Sequence, residues 1–254
     1  MKKQVEVLGV WFDCITKKDL CSSFVRMLEG RKKEYIVTPN PEIIELSVKD
    51  IGYRRVLNGA SLCLADGVGI IYAARLLNAS PIKRIPGIEA GEMLMCLLAR
   101  RKKESAFFLG AEKGVAEKAA ENMSKKHSGL NVSGTHHGFF NVKNEENDSV
   151  VRKINDSGAS VLFVCMGAPR QEKWIAENIG KLKNVKIALA LGGALDVYAG
   201  KVQRAPQLWR QTNLEWLWRT FLIPGRLKKV VPLTAFSGRV LAESLIKRKN
   251  NNRT

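Results

Sequence analysis

Two side chains able to handle a proton or a hydroxyl sit where an apolar run stops and a helical pattern begins: Asn40 in "VTPNPEII" (37–44) and Asp66 in "SLCLADGVGI" (61–70). A third such place, "LALGGALDVYAG" (189–200), carries a glycine pair followed by Asp196. Open α/β sheets bind ligands at the carboxyl ends of their strands, so this placement suits a cleft. In the first stretch Pro39 and Pro41 fix their own φ and hold Thr38 and Asn40 extended, which presents a hydroxyl and an amide together. The same stretch also fits a rigid turn with Asn40 as a helix cap. Asp66, followed by Gly67 and Gly69, reads either as a general base beside a cleft or as the N-cap of the next helix.

Glycine turns recur at the ends of other strand-like runs: Gly110 in "FFLGAEKGVAEKAA", Gly167 in "LFVCMGAPRQEKWI", and the pair Gly192 and Gly193. The helix starts behind the first two offer unpaired N–H groups to phosphate, and the glycine pair lets a flat nucleobase or ribose lie on backbone. Neither helix start is a Walker loop, and Gly110–Gly114 lacks the full dinucleotide fingerprint, so a nicotinamide cofactor has little support. In "MGAPRQEKW" Arg170 opposes the dipole of its own helix, which points to work outside helix stability, unless it is a solvent-facing first turn. Arg84 in "RIPG" supplies a cation for the same cleft. No Asp-x-Asp occurs, His127, His136 and His137 form no zinc pattern, and Gly-x-Ser-x-Gly is missing, so neither a metal nor a cofactor is expected.

These residues need a scaffold, and the pattern supplies one. Strand-like runs at "QVEVLGV", "EYIVT", "SLCLA", "SAFFLG", "LNVSGT", "SVLFVCMG" and "VKIALALGG" alternate with helical periodicity over 17–29, 42–57, 67–77, 87–103, 115–126, 147–155 and 170–179. Such alternation predicts a mainly parallel sheet with helices on both faces, ending near Gly200. The boundaries are therefore 1–200 for this α/β unit and 201–254 for a helical appendage. The chain carries a net charge of +18 in 254 residues, and over half of it lies from Lys201 onward, where twelve Lys and Arg face two Glu. Trp209, Trp216 and Trp218 share this segment. It reads as a helix docking its aromatics on the sheet unit, or as one that lays them at an acidic lipid surface. A nucleic-acid partner is not expected, because no RNA or DNA motif accompanies the charge. Five scattered cysteines without metal or redox spacing suit a reducing cytoplasm. The amino terminus lacks a signal-peptide core, and no apolar run is long enough to cross a bilayer, so any membrane contact is expected to be peripheral.

Taken in order, "VTPNPEII", "LADGVGI", "RIPG", "FFLGA", "MGAPRQEKWI", "GGALDVYAGKVQRAP" and "NLEWLWRTF" with "IPGR" resemble the WecG/TagA/CpsF glycosyltransferase family, over about residues 4–230. The resemblance implies a Rossmann-like enzyme with a carboxyl-terminal appendage that completes the site at the membrane. It is nearest the branch that transfers N-acetylmannosamine from UDP to N-acetylglucosamine on diphospho-undecaprenol in wall teichoic acid synthesis. A related transferase with another UDP-sugar remains the alternative. Carried over by residue, it implies Asp66 as base and Thr38 and Asn40 lining the catalytic cleft. Arg84 and Gln171 fall in blocks tied to substrate binding, and Arg219 and Arg226 match arginines reaching toward diphosphate. Where the family reads Glu-Pro-Arg after the Trp-rich block, this chain reads Ile223-Pro224-Gly225-Arg226. Self-association and attachment to the inner face of the cytoplasmic membrane are further expectations of the resemblance.

Overall fold

A computed structural model describes residues 3–77, 80–206, 209 and 230–251. The first apolar run is not one strand. β1 (Gln4–Val7) turns back at Leu8 and Gly9, both at positive φ (51° and 85°), and pairs antiparallel with β2 (Val10–Asp13). That two-residue turn is the hairpin type that follows strand twist, and it takes the segment out of the main sheet.

The main sheet has six parallel strands in the order β4 (Leu62–Cys63), β3 (Glu34–Val37), β8 (Ile187–Ala190), β7 (Val161–Cys165), β5 (Ala106–Gly110) and β6 (Val132–His136). The central strands are apolar without alternation because helices cover both faces. On one face α1 (Lys17–Glu29), α5 (Gly87–Leu98), α6 (Val115–Lys126) and α9 (Ala194–Tyr198) pack on Ile36, Phe108, Phe163 and Leu189. On the other, α7 (Glu145–Asp156) and α8 (Arg170–Asn178) pack on Phe107, Leu162 and Ala188, and the buried Trp174 donates its indole N–H to Asn147 (2.6 Å). α2 (Pro41–Lys49), α3 (Ile51–Asn58) and α4 (Val68–Leu76) join the hairpin in covering Val37 and Cys63. This is the Rossmann-like α/β architecture that the alternating pattern predicts.

Two helical expectations need correction. The periodicity over 42–57 is broken at Asp50, which is extended (φ −129°, ψ 99°), closes α2 and caps α3 by accepting from the Tyr53 N–H at 2.9 Å. A continuous helix gives way there because an Asp side chain competes for the backbone. The helix expected over 87–103 stops at Leu98, before its basic stretch.

Beyond Gly200, α10 (Val230–Asn251) lies along α2 and α4. Phe236 and Val240 are buried against that surface, Ser244 donates to the Leu76 carbonyl (3.2 Å), and Arg239 meets the buried Glu45 carboxylate at 3.3 Å. Leu241, Leu245 and Ile246 remain exposed. No helix of the described residues is long and apolar enough to cross a membrane. Among its described side chains only Phe236 and Val240 are buried apolar anchors, so α10 is expected to open more readily than the central strands. Phe236→Ala is therefore expected to speed amide exchange across 230–251 while β3, β7 and β8 keep their protection, which hydrogen-exchange mass spectrometry measures.

Candidate active site

β3 and β8 are neighbours, yet the chain leaves β3 for α2 on one face of the sheet and leaves β8 for α9 on the other. Such a divergence opens a crevice at the strands' carboxyl ends. Thr38 bridges its floor: the buried hydroxyl donates to the Ala190 carbonyl at 3.1 Å. Asn40 is extended (φ −111°, ψ 177°), and its side-chain oxygen accepts from the Ile43 N–H at 3.0 Å, so its acceptor end caps α2.

Asp66 arrives at the same place from β4. Leu64 N–H donates to Val37 O and Asp66 N–H to Pro39 O, which carries the β3–β4 pairing past the strands proper. Asp66 is not the cap of the following helix: the N-cap of α4 is Gly67, with no side-chain cap. Asp66 Oδ2 instead accepts from the N–H of Gly87, the first residue of α5, at 3.0 Å. A carboxylate there meets the positive end of the α5 dipole. Gly87 also has to be small, since a Cβ on it would lie 2.7 Å from Thr38 Oγ1. Thr38, Gly87 and the half-buried Asp66 thus form one contiguous group. Ile85 N–H donates to Ala65 O, which brings the half-buried Arg84 beside the same strand end. In the first turn of α5, Glu89 binds Lys17 and Arg204, each at 2.7 Å. Burial works against this carboxylate, but the two cations outweigh it and hold its pKa below the usual range.

The β8 side of the crevice is a turn at Gly192 (φ +58°), with open space where a Cβ would point and with Gly193 exposed beside it. The Gly192 N–H donates to Gln171 Oε1 at 3.0 Å, and Gln171 Nε2 donates to Glu172 Oε1 at 2.7 Å. Gln171 is only 2% exposed, and its amide holds the Gly192 turn. Gly110 is buried, and a Cβ there would run into the Cys165 carbonyl oxygen, so close packing against β7 requires a glycine at this position. Gly167 (φ +78°) stands at the mouth of α8 with open space beside it. Arg170 finds its task in the loop after β6: it donates to the Phe140 carbonyl at 2.5 Å and lies 5.4 Å from that ring's centroid. Arg219 and Arg226 lie outside the described residues. Among the described residues, no three His, Cys, Asp or Glu side chains converge as metal ligands.

Sequence reasoning missed Gly87, whose N–H holds Asp66, and the Glu172 carboxylate behind Gln171. Glu172 reads in sequence as an ordinary acidic first-turn residue and carries no signal of its burial.

Asp196 flanks the Gly192–Gly193 turn, its Oδ2 lying 3.7 Å from where a Cβ on Gly193 would stand. Burial pushes its carboxyl pKa up, Lys201 opposes this and Glu112 adds to it. A raised folded pKa means that the folded state binds the proton more tightly, so ionising Asp196 costs stability as pH rises through its folded pKa. Asp196→Asn is expected to raise the urea midpoint at about pH 7, with the gain vanishing at about pH 3, below the ordinary carboxylate range.

The family model described as "Glycosyl transferase WecG/TagA/CpsF family" matches residues 5–250. Similar proteins occur in Staphylococcus aureus strains MRSA252, NCTC 8325 / PS 47 and COL, at 33%, 32% and 32% identity over 233 residues, which is 89% of this chain and 89% of each relative. All three bear the name N-acetylglucosaminyldiphosphoundecaprenol N-acetyl-beta-D-mannosaminyltransferase. With the match running from the hairpin through α10, this chain belongs to the WecG/TagA/CpsF family of glycosyltransferases.

Proposed function

We propose that this protein moves N-acetylmannosamine from UDP-N-acetylmannosamine to the C4 hydroxyl of N-acetylglucosamine on diphospho-undecaprenol, forming a β1,4 linkage in wall teichoic acid assembly. The observation that carries the reading is the Thr38–Gly87–Asp66 group at the β3–β8 crevice, in a chain similar over 89% of its length to transferases of that name. Asp66 accepts the C4 hydroxyl proton as that oxygen bonds to the donor's anomeric carbon, and the bond to UDP breaks on the opposite face with its electron pair leaving on UDP. Configuration inverts. Asn40, whose oxygen is committed to α2, turns its Nδ2 donor to the ligand, and Arg84 adds positive charge on the Asp66 side.

UDP departs with growing negative charge, which fixed cations and helix amino termini stabilise best when they are preorganised. Arg219 and Arg226 are assigned this task, on an appendage spanning 201–254 that meets an acidic membrane at the inner face of the cytoplasmic membrane. The exposed Leu241, Leu245 and Ile246 of α10, followed by basic residues, support that assignment. Self-association belongs to the same proposal.

UDP release with UDP-N-acetylmannosamine and a lipid-diphosphate N-acetylglucosamine acceptor in detergent tests the reading. Acceptor-dependent release is expected to persist in EDTA and to fall ~10²–10⁴-fold in Asp66→Ala, the range for a lost general base. Wild-type protein that releases no UDP with this pair overturns the donor and acceptor assignment. In the same assay Arg219→Ala/Arg226→Ala is expected to lose turnover; a double variant that keeps wild-type turnover removes the arginines from the mechanism.

A further inference from the structure

We propose that Glu172 and Tyr53 are positioning residues: the Glu172 carboxylate fixes which end of the Gln171 amide faces Gly192, and thereby sets the turn that forms the β8 wall of the crevice. This rests on the transferase reading above.

A glutamine amide accepts at one end and donates at the other. Gln171 presents Oε1 to the Gly192 N–H and Nε2 to Glu172. Flipped, it would set NH₂ against N–H on one side and a carbonyl against a carboxylate on the other. An ionised carboxylate only accepts, so Glu172 forbids the flip. Its other oxygen, Oε2, accepts from the Tyr53 hydroxyl at 3.0 Å, and Tyr53 reaches it from α3. The series Tyr53–Glu172–Gln171–Gly192 therefore has one direction of donation at the Gln171–Gly192 link, and a carboxylate anchors it.

Burial makes the arrangement costly enough to need a reason. Tyr53, Gln171 and Glu172 are 0%, 2% and 1% exposed. Burial raises the Glu172 pKa, and the donors Gln171 and Tyr53 pull it back only in part. Apolar side chains at such positions often do as well or better for stability. α8 already has its apolar anchors in Trp174 and Ile175. What the polar series adds is a held Gly192 N–H at a turn whose outer side is open space. A wall held before the ligand arrives spares the ordering cost of binding. The charged and titratable groups around the series are Lys173, 5.8 Å from the Tyr53 ring centroid and paired to Asp50 at 2.6 Å, and Cys63, which faces Tyr53 from β4.

The test compares full-length wild type with Glu172→Met, Glu172→Gln and Gln171→Glu. UDP affinity is read by calorimetry, donor and acceptor KM and kcat by turnover, the fold by melting temperature, and the Gly192 amide by hydrogen exchange. Glu172→Met is expected to raise the UDP Kd and donor KM about tenfold, the scale of one lost buried hydrogen bond, with acceptor KM unmoved and faster Gly192 exchange. Glu172→Gln is expected to recover most of that loss, since its Oε1 still accepts from Gln171. Gln171→Glu sets two carboxylates where one hydrogen bond stood, so they must share a proton, and its UDP affinity relative to wild type is expected to rise as pH falls. A lowered melting temperature in Glu172→Met with UDP Kd and donor KM within twofold of wild type overturns the proposal, leaving Glu172 a purely structural residue. If Glu172→Met does not fold, the pH dependence of Gln171→Glu decides, and a flat ratio overturns it. Wild type that binds no UDP defeats the transferase reading instead. Gly192 exchange unchanged in both Glu172→Met and Gln171→Glu then defeats the positioning claim separately.

Discussion

The hydrogen bond from Thr38 to the Ala190 carbonyl joins two strand ends at the point where the chain parts to opposite faces of the sheet. The described residues proposed for catalysis, Thr38, Asn40 and Asp66, lie about that junction. A parallel sheet buried on both faces has only its strand ends free for polar work, and only where neighbouring strands diverge is there room for a ligand. β4 delivers Asp66 to one side of the junction and β8 delivers the Gly192 turn to the other. Residues 84–87 and α8 then fasten these two walls with backbone N–H and amide bonds.

The part of this legible in sequence is the part written in short-range chemistry. Prolines on both sides of Asn40, and glycines just after Asp66, mark strand ends whatever the tertiary context, so Thr38, Asn40 and Asp66 could be singled out and the alternating units ordered. Asp50 was hidden because an aspartate within an apolar helical period looks like one more surface position, and the hairpin because Leu8–Gly9 carries no strong turn signature. The crowding at Gly110 was hidden for a different reason: a glycine at a strand end serves a phosphate or a crowded carbonyl equally well, and the carbonyl of Cys165 lies 55 positions away in the chain. Glu172 and Tyr53, 119 positions apart, become partners only through the packing of α3 on α8.

α5 ties the site to the rest of the chain. Its first N–H holds Asp66, and two residues on Glu89 gathers Lys17 from α1 and Arg204 from the start of the basic segment. Both bonds belong to the first turn of one helix, so the carboxylate assigned as base and the exit toward the appendage share a rigid support. α10 returns to the body beside α2, the helix that Asn40 caps. Arg204 and α10 are thereby both held against elements that line the crevice.

The Thr38–Ala190 bond joins positions 152 apart, so the floor of the crevice is a contact that closes a long stretch of chain. Long-range parallel pairing is slow, because loop entropy is spent before the contact rewards it. Among the described residues β8 is the last strand of the sheet in sequence, yet it stands between β3 and β7 at its middle. The crevice therefore needs the whole sheet: without β8 it has neither the Gly192 wall nor the acceptor for Thr38.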